Sequence, residues 1–311
     1  MPCKRRTYSI RYSWKRIRSA KATANNDYLT LFLKPYADVE SLLNARGRDI
    51  ADANILVLGC GYHYPEVILW STVAKQVIGI DVRKVFWKHG FRARYKDLRR
   101  GGKGISGSFA NTIVDGLTYF RYFDELRKLL RTELNEHNQN LQTYEGSKLP
   151  FADETFDVVC SNAVLEHVTP SDLAQLANEI PRVTRPSGIN YHLCHNYYSL
   201  SGAYVPNEIA SAHPWGHLLG DRQVNNWLNS YGAPYLNRML PEEIVKLLSQ
   251  GIRCVAVYSV DKNHNKSETT SEFTYEGEEL LNKELEKKLD NYPRKTLLTR
   301  AFLFVGVKQS V

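Results

Sequence analysis

The stretch Ile55-Leu-Val-Leu-Gly-Cys-Gly-Tyr-His63 constrains the fold of this chain more than any other. Four consecutive apolar residues fit a strand buried on both faces of a parallel sheet, because a half-exposed strand would alternate apolar with polar. Gly59 and Gly61 let the following turn adopt left-handed angles and pass close to a ligand. Pro65 suits the first turn of a helix carrying the apolar run of residues 67–74. A second apolar run, Val77-Ile-Gly-Ile-Asp81, then ends in an acid. In a strand, glycine turn, helix and strand of this length, the acid faces the turn and can accept hydrogen bonds from a ribose diol. The unit reads as a nucleoside-binding half-site.

The rest of the chain repeats the alternation. Strands are predicted at 55–59, 76–81, about 141–145, 156–162, 189–194, 252–259 and 301–307, with helical patterns between several of them, which argues for an α/β sheet. Phe156-Asp-Val-Val-Cys160 is mostly apolar without alternation, as a central strand should be. Tyr28 to Leu43 predicts a helical lead-in interrupted at Pro35, and Pro241 to Leu248 a short helix. Thr169, Pro170 and Asp172 suit the N-cap, first and third positions of a helix that stops near Arg185-Pro-Ser-Gly188. Two intervals exceed an ordinary crossover: 82–140, with an amphipathic helix placing Phe123, Leu126, Leu130 and Leu134 on one face, and 195–250, rich in aromatics and histidine. The organisation expected is a basic arm at 1–22 and one domain over 23–311 with these two insertions.

Charge is unevenly spread. Residues 1–21 carry Lys4, Arg5, Arg6, Arg11, Lys15, Arg16, Arg18 and Lys21 and no acid, and 83–103 are similarly basic apart from Asp97. The net charge of the whole chain is +8, so the remaining body is acidic. Solvated faces explain most such runs; the sharper reading is contact with nucleic acid or an anionic surface. No apolar run is long enough to span a bilayer, and the basic N-terminus is not followed by the apolar stretch of a secretory signal. The cysteines Cys3, Cys60, Cys160, Cys194 and Cys254 form no CxxC pair and read as small buried hydrophobes in a reducing cytoplasm. His63-x-x-Glu66 and the His213/His217 pair do not complete a ligand set, so no metal site is expected.

The order of signatures resembles that of class I S-adenosylmethionine-dependent methyltransferases, in their small-molecule branch that includes quinone-type enzymes. The resemblance is carried by the Gly-Cys-Gly61 turn, Gly-Ile-Asp81, Leu-Pro-Phe151, Phe-Asp-Val-Val159, Leu-Glu-His167 and Arg-Val-Thr-Arg-Pro-Ser-Gly188, over about residues 53–195. It implies a Rossmann-like, seven-stranded, mostly parallel sheet with helices on both faces, and S-adenosylmethionine as cofactor. It also implies roles. Gly59, Cys60 and Gly61 would form the loop against the methionine part, and Asp81 would bind the ribose hydroxyls. Glu145 would read the adenine amine, flanked by Leu149 and Phe151, and Asn162 would border the transfer site. The chain departs from the family pattern at Val57, where an acid is usual, and at His63, where a third glycine is usual.

Histidine is the natural general base near neutrality. His167, just past the fourth strand, and His195, at the carboxyl end of the fifth, are the catalytic candidates. The segment Asn196 to Gly202, with Trp215, resembles sugar- or polyketide-facing insertions of bacterial relatives, and its rings could stack on a pyranose or a base. Two functions stay open at this level. One is methylation of a hydroxyl on a small molecule or glycan intermediate. The other is a nucleic-acid-binding methyltransferase, or a noncatalytic S-adenosylmethionine-binding module. Ser161-Asn-Ala-Val164 lacks the Pro-Pro-aromatic motif of base-amine methylation, which favours the first.

Overall fold

The computed structural model describes residues 26–61, 64–82, 89–100, 102, 104–130, 140–144, 148–202, 204–231, 235–269 and 271–309. The basic arm at 1–22, and with it Cys3, lies outside them. The described residues form a seven-stranded sheet of β1 (Asn54–Leu58), β2 (Gln76–Asp81), β3 (Asn140–Thr143), β4 (Phe156–Asn162), β5 (Thr184–His195), β6 (Ile252–Val260) and β7 (Ala301–Lys308). Their order is β3-β2-β1-β4-β5-β7-β6. The β2–β3, β1–β4 and β4–β5 pairs are parallel, and β7 runs antiparallel to β5 and β6. This is the mixed α/β sheet the sequence predicts, and every predicted strand is present. Among the described residues no helix is long and apolar enough to cross a membrane.

The chain divides into two compact units. The first comprises residues 1–44, 49–52 and 59–145. Its helix Asn26–Asn44 runs through Pro35 without a break, contrary to the interruption expected there. Pro35 shares a buried stripe with Val39 and Leu43 at four-residue spacing, so apolar burial offsets the hydrogen bond that proline removes. The helix Pro65–Ser71 starts at its proline and buries Val67, Ile68, Leu69 and Trp70. It lies so close to β2 that a Cβ on Gly79 would sit 2.6 Å from Val67 Cγ2, 2.9 Å from Leu141 Cδ2 and 3.0 Å from Cys60 Sγ. Glycine alone fits there. The helices Gly90–Arg100 and Ile105–Leu130 pack on each other, tied by the Arg94 Nε–Asp115 bond of 2.8 Å. The side chains of Phe123, Leu126 and Leu130, and residue Leu134, are outside the description.

The second unit comprises residues 45–48, 53–58 and 146–311. β4 is buried from Phe156 to Ser161, as its mostly apolar, non-alternating sequence implies. The one acid in that strand, Asp157, is neutralised by Arg48 and Arg185 and accepts the Asn54 N–H at 2.8 Å. The helix Pro170–Val183 begins as expected: the Thr169 hydroxyl accepts the Asp172 N–H. It ends at Val183, and residues 185–188 already belong to β5. Gly188 is forced by crowding, since a Cβ there would lie 2.6 Å from Thr184 Cγ2 and 2.8 Å from the Arg185 carbonyl. Cys160 and Cys194 are buried as expected, but Cys254 is exposed. It sits on β6 at the sheet's edge, where residues 253–255 are all exposed around a bulge.

Candidate functional site

β1 delivers the chain into the Gly-Cys-Gly turn of the first unit. Gly59 and Gly61 have φ of 64° and 73°, the left-handed region that glycine enters at little cost. The Cys60 N–H donates to the Ile80 carbonyl at 3.1 Å, and the Gly61 N–H to Asp81 Oδ2 at 2.8 Å. Two consecutive donors of the turn are thereby fastened to the end of β2. Asp81 both holds the turn and presents a carboxylate at a strand's carboxyl end, where ligands of open α/β sheets bind. A Cβ on Gly61 would meet nothing within 4 Å, so the space beside the turn is open. Packing therefore does not demand glycine at this position; the left-handed backbone angle does. Cys60 is buried beneath the turn against Gly79, as a small packing residue. The structure thus brings Gly59, Cys60, Gly61 and Asp81 together. Glu145 and His63 lie outside the described residues.

In the second unit the chemistry gathers where β4 and β5 end. Asn162 closes β4, and Ala163 then takes φ 55°, a left-handed angle unusual for alanine. Its N–H donates to the Leu193 carbonyl, and the 3₁₀ turn Leu165–His167 follows. Asn237 grips that turn, donating from its side-chain amide to the Leu165 and Val168 carbonyls and from its backbone to Glu166 O. Glu166 is only 3% exposed; Oε1 accepts the His195 backbone N–H at 3.2 Å and lies 3.4 Å from His195 Nδ1. Burial pushes the Glu166 carboxyl up to about 8. Burial, with a smaller contribution from Arg300 and neighbouring histidines, pushes His195 down to about 4. At neutrality the pair is a carboxylic acid beside a neutral imidazole, because a dry site disfavours both charges.

Tyr204 completes the cluster. Its hydroxyl lies 2.5 Å from His167 Nε2, while His167 Nδ1 lies 2.7 Å from the Tyr235 carbonyl. A carbonyl only accepts, so Nδ1 carries the proton and Nε2 offers its lone pair to the Tyr204 O–H. Burial, and then the Glu166 carboxylate, raise the Tyr204 phenol above its ordinary value. The Tyr204 ring also meets the His195 ring edge-on at 5.9 Å. His167 and His195 are therefore joined through Tyr204, with Glu166 behind. Sequence reasoning missed Glu166, Tyr204 and Asn237. The signal for Glu166 was an acid inside the otherwise apolar Ala163-Val-Leu-Glu-His-Val168; Tyr204 and Asn237 had none.

Other candidates prove structural. His192 is fully buried, paired with Ser161 Oγ at 2.9 Å, and burial pushes it down to about 3. His213 bonds Asp221 at 2.9 Å, and His217 bonds the Tyr197 carbonyl at 2.7 Å. Among the described residues no group of His, Cys, Asp and Glu could hold a metal. Trp215, expected to offer its face to a ligand, is fully buried among Leu200, Val205, Leu297 and Leu298. Its indole N–H donates to the Leu297 carbonyl, so it is a core residue. Leu149 is buried as well, and Phe151 packs edge-on against Phe156 at 5.0 Å. Arg182 clamps this segment through the Leu149 and Phe151 carbonyls while binding Glu179 and Asp153. The Leu-Pro-Phe151 and Arg-Val-Thr-Arg-Pro-Ser-Gly188 signatures are thus two halves of one backbone clamp.

Parts of the chain are similar to known proteins. Residues 101–191 match a family model described as a methyltransferase domain; the match includes Asn162 and His167 but not the Gly-Cys-Gly turn or Asp81. An uncharacterized methyltransferase of Mycobacterium tuberculosis is 30% identical over 111 residues, 36% of this chain and 41% of that protein. An uncharacterized methyltransferase of Mycobacterium sp. (strain JLS) is 36% identical over 87 residues, 28% of this chain and 31% of that one. The chain thus spans less than half the length of these curated relatives. Among solved structures, a SAM dependent methyltransferase from Aquifex aeolicus aligns over 94% of this chain and 98% of its own, at 13% identity and a TM-score of 0.43.

Proposed function

We propose that the chain is an S-adenosylmethionine-dependent methyltransferase of the small-molecule branch, acting on a hydroxyl of a small molecule or glycan intermediate. The observation that carries this reading is the left-handed Gly-Cys-Gly turn bound to Asp81 through the Gly61 N–H at 2.8 Å. The donor set fits the cofactor: a carboxylate for a ribose diol, and a glycine-lined space for a chain lying against backbone. Gly59, Cys60, Gly61 and Asp81 would hold it, with Glu145 at the adenine amine and Asn162 beside the methyl. The cofactor brings a methyl group already activated on a sulfonium, so the protein's task is to position the acceptor oxygen and remove its proton.

His167 and Tyr204 serve that second task. The Tyr204 oxygen takes the acceptor's proton as Tyr204 passes its own to His167 Nε2, and the Tyr235 carbonyl holds the Nδ1–H of the resulting imidazolium. His195, kept neutral, and protonated Glu166 form an uncharged wall beside Tyr204 and position it. Calorimetry tests the cofactor assignment directly. S-adenosylhomocysteine should bind the wild-type chain, and Asp81→Ala should weaken binding by about tenfold or more, the loss of a charge-assisted pair of hydrogen bonds. Equal affinities would remove Asp81 from the site. Binding without methyl transfer to any hydroxyl acceptor would leave a noncatalytic module.

A further inference from the structure

Arg238 stands at the rim of the His167–Tyr204 cluster with its charge unmatched. Its neighbours fix its backbone there. Asn237, just before it, is fastened to the Leu165–His167 turn, and the Tyr198 hydroxyl donates to the Arg238 carbonyl at 2.6 Å. Arg238 takes φ 54°, a left-handed angle that glycine would adopt at least cost. Side chains held at such angles gather at ligand clamps and active sites, where the surrounding structure over-determines them. The guanidinium lies over the Tyr197 ring, 5.3 Å from its centroid, a contact that holds the cation without neutralising it. Tyr197 in turn meets the His217 ring edge-on at 5.1 Å. His217 fills the space beside Gly202, where a Cβ would come 3.0 Å from its ring, two residues before Tyr204.

Arg238 is exposed, and among the described residues it forms no ion pair. The two acids that follow it in sequence are engaged elsewhere: Glu242 Oε1 accepts the Thr296 hydroxyl at 3.4 Å, and Glu243 Oε2 the Leu240 N–H at 2.7 Å. Within the cluster charge is absent or paired, since Glu166 is protonated, His195 and His217 are neutral, and Arg300 binds Glu276 at 2.9 Å. We propose that Arg238 receives a carboxylate on the acceptor, which makes the substrate a hydroxy acid whose hydroxyl lies at Tyr204. One guanidinium balances one charge, and its fork matches the two oxygens of a carboxylate, whereas a phosphate dianion calls for a second cation. The half-buried rings of Tyr197 and Tyr198 offer surface to the body of such a molecule. That this molecule is the methyl acceptor rests on the methyltransferase reading above; the anion site itself does not.

Titration of the full chain with benzoate, a minimal planar carboxylate, tests the site by nitrogen-15 NMR with no cofactor present. Benzoate is expected to shift the Arg238 Nε–H resonance and to bind about tenfold or more tightly than benzamide, its neutral counterpart, because it adds a charge-assisted pair of hydrogen bonds. Arg238→Gln should lose the same factor, and Arg238→Lys should recover part of it, keeping the charge without the fork. Arg238→Gly should also lose benzoate while its thermal midpoint stays level or rises, since glycine suits φ 54°, and this separates lost binding from lost folding. Equal affinity for benzoate and benzamide overturns the proposal, as does benzoate binding that Arg238→Gln leaves unchanged. An Arg238→Gly chain that unfolds more readily yet still binds benzoate overturns it too, by making the side chain a prop for Tyr197. In a labelled-methyl screen hydroxy acids should be methylated in preference to their methyl esters, and the reverse preference refutes their place as acceptors. Loss of S-adenosylhomocysteine binding would leave the benzoate results standing, so the two readings fail separately.

Discussion

Replacing Glu166 by glutamine should remove one limb of the chain's pH–stability profile. Glu166 is held protonated by burial, with its carboxyl raised to about 8 against 4.5 in an open chain. Between those values the folded state binds a proton that the unfolded state has lost. Stability is therefore fully present below about 4.5, declines as pH rises, and levels off above about 8. The buried histidines act in the opposite sense. Burial lowers His195 and His217 to about 4 and His192 to about 3, so unfolding takes up protons as pH falls below 6.5 and the acid side loses stability. Above 6.5 those histidines are neutral in both states and Glu166 carries the slope up to about 8, beyond which the buried Cys194 thiol, raised by burial and then by Glu166, adds to it. At about 1.4 kcal/mol per pH unit over that interval, the wild type should lose roughly 2 kcal/mol between pH 6.5 and about 9. Glutamine keeps the shape of the side chain and cannot ionise. Urea unfolding followed by tryptophan fluorescence should therefore give a lower midpoint at alkaline pH for the wild type and a nearly constant one for Glu166→Gln. The difference between the two proteins cancels tyrosine and lysine titration. An identical alkaline slope in both would refute the protonated, buried Glu166 and with it the neutral pair beside Tyr204.

Three further outcomes follow from other parts of the molecule. Gly79→Ala places a methyl 2.6 Å from Val67 and 2.9 Å from Leu141; overpacking of that kind costs about 1–3 kcal/mol, read as a lower thermal midpoint. A wild-type midpoint would mean that the helix Pro65–Ser71 gives way freely. Tyr204→Phe keeps the ring and removes the proton path, so methyl transfer should slow by about 100-fold or more while S-adenosylhomocysteine affinity is unchanged. Unchanged turnover would take Tyr204 out of the reaction. His167→Asn should abolish whatever dependence of the rate on a base near neutrality the wild type shows, and a retained profile would point to another base.

The strands were legible because their side chains report burial directly. Ile55 and Leu56 pair with Val158 and Val159 across β1 and β4, where the sequence already reads as buried on both faces. Helix starts were legible for the same local reason: Thr169 and Pro65 act on backbone groups within one turn of themselves. The sequence misleads where burial in the folded chain, rather than residue type, decides the outcome. Pro35 reads as a break until the burial it shares with Val39 and Leu43 is seen. Trp215 reads as a stacking platform, yet the chain folds back to bury it against Leu297, 82 residues on. Cys254 reads as buried because an edge strand resembles an interior one in composition.

The sequence by itself determined the α/β sheet, the Gly-Cys-Gly turn and the acid that answers it, since all of these follow from apolar runs and backbone freedom over about thirty residues. It also singled out His167 and His195 by their places after strands. Only the tertiary structure decided what those histidines are. Tyr204 reaches back 37 residues to His167, and His195 comes to Glu166 across 29. A tautomer, a neutral imidazole and a protonated carboxyl depend on which groups exclude water around them, and that exclusion is a property of the folded chain.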